Sequence, residues 1–324
     1  MKKKIYTTIG LMSGTSMDGV DISMIKSDGN NQIEQISDKY YEFEVDLYKE
    51  LISLRETLRN LNDLDNELDK INKIEKKFTL FTSQIINKFI YEIGHKPDLI
   101  GFHGQTIFHD VQNKISKQIG DGKLLSQLTK SPVINKFRQN DLDNNGQGAP
   151  LTPVFHFEIS KKLCKENKLS YPINIINIGG ITNVTSIKSN NDIEKDVSAY
   201  DIGPGNCLID EWLRKTSDVK FDKDGEIAIT GKLNQLTLSQ AIENFEISSI
   251  QKSLDVKDFD ISFAKGLSVE DGCTTITEFT AYLISEGLKK IDEINNMKTN
   301  NLIFCGGGRK NKSLIDKIFK FMNN

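Results

Sequence analysis

The sequence predicts an α/β fold in two domains, and three observations carry that expectation. The chain has 324 residues, where a single domain usually takes about 100 to 200. Short apolar runs of strand length, such as residues 173–178, alternate with longer stretches of helical period, such as residues 63–93. A strand, a Gly-rich turn bearing polar side chains and a returning strand occur at the start of the chain and again in its second half.

Hydrophobic residues make up 37% and charged residues 27% of the chain, the composition of a soluble protein with a polar surface. The net charge of -3 gives no basis for a nucleic-acid or anionic-membrane surface, so any anion binding must be local. No stretch approaches the roughly 20 apolar residues of a membrane span. The opening Met1-Lys2-Lys3-Lys4 is followed by an apolar run too short for a signal peptide. Cys164, Cys207, Cys273 and Cys305 lie far apart, which fits thiols in a reducing cytoplasm.

Taken in order, Ile5 to Ile9 reads as a first strand and runs into the stretch from Gly10 to Asp21. Gly10, Gly14 and Gly19 let the backbone approach a ligand closely, successive N–H groups can form an anion nest, and Ser13, Thr15 and Ser16 add donors. Asp18-Gly19 is equally a hairpin signal, and the local residues leave both readings open. Residues 20–25 alternate as a returning strand and a third is expected near 40–45. Helical spacing follows over 47–58 and 63–93, its charges forming a solvated face.

Residues 97–102 form a short strand that leads into His103-Gly104-Gln105-Thr106, with His109 close behind. Strand ends in α/β proteins are where ligands are held, so these side chains are candidates. A strand near 118–119, a helix over 124–128 and the segment from Asn135 to Asp141 come next. The Asn- and Gly-rich residues 142–149, followed by Pro150 and Pro153, read as an interdomain linker. The same composition shift, which begins at Asn135, carries Arg138 and Asp141, where a substrate would meet both domains.

The second half opens on a buried-type strand, residues 173–178, then Gly179-Gly180 and an alternating strand over 181–187. Two half-molecules each offering such a turn to a shared cleft can grip a nucleoside triphosphate from both sides. Asp201 falls at a strand end before Gly203-Pro204-Gly205 and a helix from about Asn206, whose free N–H groups suit an anion. A helix-capping or turn role for Asp201 is the alternative. A long amphipathic helix carries Ile276, Phe279, Leu283, Leu288 and Ile291, and the strand over 301–305 ends in Gly306-Gly307-Gly308 and a helix.

The three Gly-rich turns, in this order, resemble the phosphate-1, phosphate-2 and adenosine motifs of the sugar kinase, Hsp70 and actin superfamily. More closely, Gly10 to Asp21 resembles the signature of the anhydro-N-acetylmuramic acid kinase family. The likeness continues through His103-Gly104-Gln105-Thr106, Gln118-Ile119-Gly120-Asp121, Phe137-Arg138, Gly146 to Leu151, Asn177 to Asn183, Asp201 to Asn206 and Cys305 to Gly308. It covers essentially the whole chain.

That resemblance implies an α/β fold of two actin-like ATPase (ribonuclease H-like) lobes, residues 1–140 and 141–324, with an interlobe ATP cleft. It implies a cytoplasmic enzyme of cell-wall recycling that uses ATP, Mg2+ and water to turn 1,6-anhydro-N-acetylmuramic acid into N-acetylmuramic acid 6-phosphate. Asp201 would be the catalytic base. Gly14, Thr15, Ser16, Met17, Asp18, Gly19, Val20, Asp21, Gly179, Gly180, Gly203, Gly306 and Gly307 would bind nucleotide. His103, Gln105, Thr106, Arg138 and Asp141 would meet the sugar. No residue is assigned to the metal, Asp18 and Asp21 being either outer ligands or turn residues, and a homodimer is the family expectation.

Family members continue past the triple-glycine turn through a further strand and helix, whereas this chain stops at Asn324. The expectation is a truncated C-terminal lobe that binds nucleotide with impaired turnover. The rival readings are a kinase of another sugar on the same fold and an ATP-binding regulatory protein without a catalytic base.

Overall fold

The computed structural model describes residues 4–14, 17–30, 32–245, 254 and 256–323. These fall into two compact units, Met1–Leu151 and Thr152–Asn324. The Asn- and Gly-rich residues expected as a linker therefore belong to the first unit.

The first unit opens with β1 (Tyr6–Met12), β2 (Gly19–Ser27) and β3 (Ile33–Glu42), an antiparallel meander. The third strand starts well before the expected 40–45 because its polar side chains hide the alternation. Helices α1 (Val45–Thr57), α2 (Leu61–Asn66) and α3 (Leu68–Ile93) lead to β4 (Leu99–Phe102). The expected single helix over 63–93 is two helices. Asn60 and Asp63 form a reciprocal capping box that starts α2 early, and Glu67 leaves helical geometry before α3 begins.

The hairpin β5 (Gln105–Asp110) and β6 (Ile115–Ile119), then α4 (Gly122–Thr129), β7 (Val133–Ile134) and α5 (Phe137–Asp143) complete the unit. Its main sheet has the order β3-β2-β1-β4-β7, with β1, β4 and β7 parallel. Ile9, Leu11, Ile22 and Met24 bury one sheet face against Leu51 and Leu54 of α1 and Phe78, Ile86 and Phe89 of α3. That apolar burial, roughly 1.5 to 3 kcal/mol per side chain, fixes which way the β1–β2 turn points.

The second unit runs through α6 (Pro153–Lys165), β8 (Ile173–Ile178), β9 (Ile181–Ile187), α7 (Ile193–Asp196), β10 (Val197–Pro204) and α8 (Cys207–Thr216). It continues with α9 (Glu226–Thr230), α10 (Gln235–Asn244), α11 (Val269–Asn295), β11 (Asn301–Cys305) and α12 (Lys312–Met322). Among the described residues its sheet has the order β10-β9-β8-β11, β11 running parallel to β8. Both sheets thus place their third, second, first and fourth strands side by side with the second antiparallel, the ribonuclease H-like arrangement.

Here both sheet faces are covered. Ile176, Ile178 and Val184 pack with Ile284 and Leu288 of α11 and Leu314 and Ile318 of α12. Ile173, Ile175 and Ile187 pack with Phe157 of α6. That is why residues 173–178 carry isoleucine on both strand faces, whereas β1 alternates. Buried Glu278 of α11 is paired with Lys317 and, at 3.7 Å, Lys320 of α12, so the last helix is fastened by charge as well as by packing. No helix among the described residues is long and apolar enough to cross a membrane.

Candidate active site

In the first unit the β1–β2 turn is held by side chains. Gln105, fully buried at the start of β5, donates from Nε2 to the carbonyls of Gly14 (3.0 Å) and Thr106 (3.3 Å). Its Oε1 accepts the hydroxyl of buried Ser13, which also lies 3.0 Å from the Gly19 carbonyl. The amide orientation is fixed, since a flip would press Oε1 against two carbonyl oxygens. Gln105 therefore does not present its amide to a sugar, contrary to expectation; both ends of it serve the turn.

Met17 is buried with φ of 54° and its N–H donates to the Gly14 carbonyl. Asp18 accepts the hydroxyl of Tyr40, whose pKa is raised mainly by burial and next by Asp18. Val20 turns into the core, while Asp21 stands exposed on β2. Thr15 and Ser16 lie outside the described residues.

On the other side of Gly104 from Gln105, the β4–β5 turn carries His103. Its Nδ1 lies 2.6 Å from the Gly104 carbonyl and its Nε2 accepts Arg138 Nε at 2.7 Å. Those partners fix the Nδ1–H tautomer. Burial, then the Arg138 charge, lowers the imidazole to about 4, against a smaller opposing effect of the Gly104 carbonyl. His103 is thus a neutral acceptor that orients an arginine. Arg138 Nη1 also donates to the Gly148 carbonyl at 3.2 Å, and the Gly148 N–H donates to Asp141 Oδ2 at 2.7 Å. Asp141 is committed to this turn through one oxygen.

Thr106 accepts Gln118 Nε2 at 3.2 Å, and Gln118 reaches Ser116, which meets His109 Nδ1 at 2.9 Å. Burial, and after it Arg138, lowers the His109 pKa as well. His103, Thr106, Arg138 and Asp141 are accordingly gathered around the β4–β5 turn, with His109 behind them.

The second unit holds its turn by backbone. The N–H groups of Gly205 and Asn206 donate at 2.8 Å to the carbonyls of Gly180 and Gly179, and Cys207 N–H reaches Gly180 at 3.2 Å. The start of α8, expected to offer these donors to an anion, is thus already occupied by Gly179 and Gly180. A Cβ on Gly205 would stand 2.2 Å from the Gly179 oxygen, so only glycine fits. Gly306 and Gly307 follow β11 and border the same place, Gly306 facing Asn177 Oδ1 and Gly307 facing Asn206. Gly203 pairs with Thr182 on β9, and a Cβ there would meet Leu283 of α11 at 3.5 Å.

Asp201 is not at a strand end but within β10, just before a register shift between Asp201 and Gly203. It is paired across the ladder with Asn183, which pairs with Asn177, which pairs with Cys305. In-register residues share a sheet face, so one polar row crosses all four strands beyond the apolar Ile175 and Ile187. The capping alternative for Asp201 fails because its Oδ2 accepts Leu254 N–H at 3.0 Å, far along the chain. Burial raises the Asp201 pKa, and the Leu254 hydrogen bond opposes that rise. A carboxylate pushed toward neutrality, on a rigid strand, has the character of a general base.

Asn177 and Asn183 were not singled out from the sequence. Each stands two residues from Gly179 or Ile181, and the available signal is this symmetric placing of two asparagines about the Gly179-Gly180 turn.

A family model described as anhydro-N-acetylmuramic acid kinase matches residues 6–324. The anhydro-N-acetylmuramic acid kinase of Pelagibacter ubique is 48% identical over 320 residues, covering 98% of this chain and 84% of the relative. That of Brucella canis is 34% identical over 314 residues, covering 96% and 82%. Among solved structures, the activator of the 2-hydroxyisocaproyl-CoA dehydratase from Clostridium difficile with bound ADPNP gives a TM-score of 0.44 at 10% identity, covering 99% of this chain and 86% of that one. With the family model matched over nearly its whole length, this chain belongs to the anhydro-N-acetylmuramic acid kinase family.

Proposed function

We propose that this chain is an ATP-dependent kinase that converts 1,6-anhydro-N-acetylmuramic acid and water into N-acetylmuramic acid 6-phosphate, in the cytoplasm, as a step of cell-wall recycling. Family membership supports the reaction, and the observation that carries the mechanism is Asp201, half-buried on β10 with its pKa raised by that partial burial. Water attacks the anomeric carbon, the bond from that carbon to the bridging 6-oxygen breaks, and Asp201 takes the proton of the attacking water. The freed 6-oxygen takes the γ-phosphoryl group, ADP leaves, and Asp201 releases its proton to solvent. Phosphoryl transfer itself needs positioning and charge neutralisation more than a protein base.

We assign nucleotide contacts to Gly14 through Asp21 in the first unit and to Gly179, Gly180, Gly306 and Gly307 in the second. His103, Thr106, Arg138 and Asp141 form the sugar set. Arg138 has two of its five N–H groups engaged, which suits a polar, anionic amino sugar. Mg2+ carried by phosphates needs one or two protein carboxylates besides water. Asp18 and Asp21, either side of Gly19, would be outer ligands reaching the ion through its waters. When bound, the ion would neutralise charge on the phosphates. We also expect a homodimer, as in the family.

Reaction in heavy-oxygen water, followed by mass analysis before anomeric exchange, tests the scheme. One heavy oxygen at the anomeric hydroxyl of the 6-phosphate is expected. Unlabelled product, or phosphorylation of ordinary hexoses in preference to the anhydro sugar, would overturn it.

A further inference from the structure

Gln105 and His103 are separated by one residue, and that residue is clamped. Gly104 has φ of +77°, and a Cβ there would stand 2.6 Å from the Ile119 carbonyl oxygen. The backbone at Gly104 is therefore pressed on the end of β6. That end is fastened in turn to α3, where Glu75 Oε1 accepts Gly120 N–H and Thr79 Oγ1 accepts Asp121 N–H, both at 3.0 Å. A tripeptide so confined cannot let its two flanking side chains move independently.

One flank, His103, holds Arg138 through Nε; the other, Gln105, holds Ser13 and the Gly14 carbonyl. Hydrogen bonds thus run from Asp141 and Gly148 through Arg138 and His103 to the Gly104 carbonyl, the clamped Gly104 backbone carries the link covalently to Gln105, and hydrogen bonds resume from the Gln105 amide to the β1–β2 turn. Gln105 is the last link, and its amide is the residue's whole polar content.

Resting on the kinase reading above, we propose that Gln105 is a positioning residue that couples sugar at Arg138 to the geometry of the nucleotide turn. Sugar that engages Arg138 fixes His103 and, through Gly104, the Gln105 amide. The Ser13–Gly14 backbone is then held in its binding geometry before nucleotide arrives. Such coupling is reciprocal, each ligand tightening the other by the same factor.

The test is titration calorimetry of a non-hydrolysable ATP analogue with and without 1,6-anhydro-N-acetylmuramic acid. The unsubstituted protein, Gln105→Met, which keeps the buried volume, and Ser13→Ala, which removes the facing hydroxyl, are compared. In the unsubstituted protein saturating sugar is expected to lower the analogue's Kd by about 5-fold or more. In Gln105→Met that ratio falls toward one while sugar still binds. Gln105→Glu, placing a second acceptor against the Gly14 and Thr106 carbonyls, should abolish it as well. If Gln105→Met fails to fold, Ser13→Ala decides, with a reduced ratio expected.

A ratio of one in the unsubstituted protein, or an unchanged ratio in the variants, would overturn the coupling. Failure of the anhydro sugar to bind the unsubstituted protein at all would instead overturn the kinase reading, and the coupling with it.

Discussion

The two sheets share a strand order, yet they hold their first hairpin turns by different means. In the first unit the turn after β1 depends on side chains, Gln105 and Ser13, reaching from elements 92 residues apart. In the second, the turn after β8 is held by main-chain N–H groups of residues 205–207. A backbone fastening survives most substitutions and is rigid by construction. A side-chain fastening can be loosened by one exchange, and it can transmit the state of whatever else its carrier touches. The difference locates adjustability in the first unit and fixed geometry in the second, where Asp201 also stands.

The largest effect is expected from the fixed side. Asp201→Asn should lower the turnover of the anhydro sugar by about 100- to 10,000-fold while leaving the affinity for a non-hydrolysable ATP analogue unchanged, measured by steady-state kinetics and calorimetry. Unaltered turnover would remove Asp201 from the role of base. Next is Gly205→Ala, whose Cβ meets the Gly179 carbonyl at 2.2 Å. Overpacking of this kind costs about 1 to 3 kcal/mol, read by urea unfolding. A neutral outcome would show the backbone fastening to be slack. In the first unit the Ser13→Ala exchange already described should cost at most a similar amount, since it leaves Gln105 Oε1 without its donor (about 1 to 3 kcal/mol).

Acid separates the two units by sign. Burial raises the Asp201 pKa, so the fold favours its protonated form. That contribution is complete below the ordinary carboxylate value and is lost as pH rises through the raised one. Asp201→Asn should therefore raise the melting temperature at pH 7, with the gain vanishing near pH ~4. The acid limb of activity should likewise lie above the ordinary aspartate range. His103 behaves oppositely. Its pKa is lowered to about 4, so the stability it contributes is present above the ordinary imidazole value of about 6.5 and is lost as pH falls toward 4. His103→Asn should flatten the stability profile between those limits, and activity should show no inflection near 6.5 from this residue.

Residues whose burial is periodic were legible early. The strands over 173–178, 181–187 and 301–305 are expected with the boundaries the structure shows, because isoleucine-rich runs or apolar alternation end at flanking Gly or polar residues. The third strand, residues 33–42, was placed late because its side chains are mostly exposed and polar. Helix α5 was hidden in an Asn- and Asp-rich stretch that composition assigns to a linker. Among the candidate site residues, Asp201 stands out in the sequence by its place before Gly203-Pro204-Gly205, but its position within β10, beside a register shift, is revealed only by strand pairing.

Gln105 shows the limit most plainly. Its proximity to His103 marked it as part of the site, but whether its amide faces a ligand or the molecule's own backbone depends on Ser13 and Gly14, which lie more than ninety positions earlier. The sequence by itself determined the α/β class, the two Gly-rich hairpin turns and the third glycine turn, because each depends on local backbone freedom or on the period of apolar residues, whereas Asp201 as candidate base rests on the family resemblance. Tertiary structure decided the polar row from Asp201 to Cys305, the neutral His103 that orients Arg138, and the two ways of fastening a turn. Those depend on strand register and burial, which arise only when distant segments pair and exclude water.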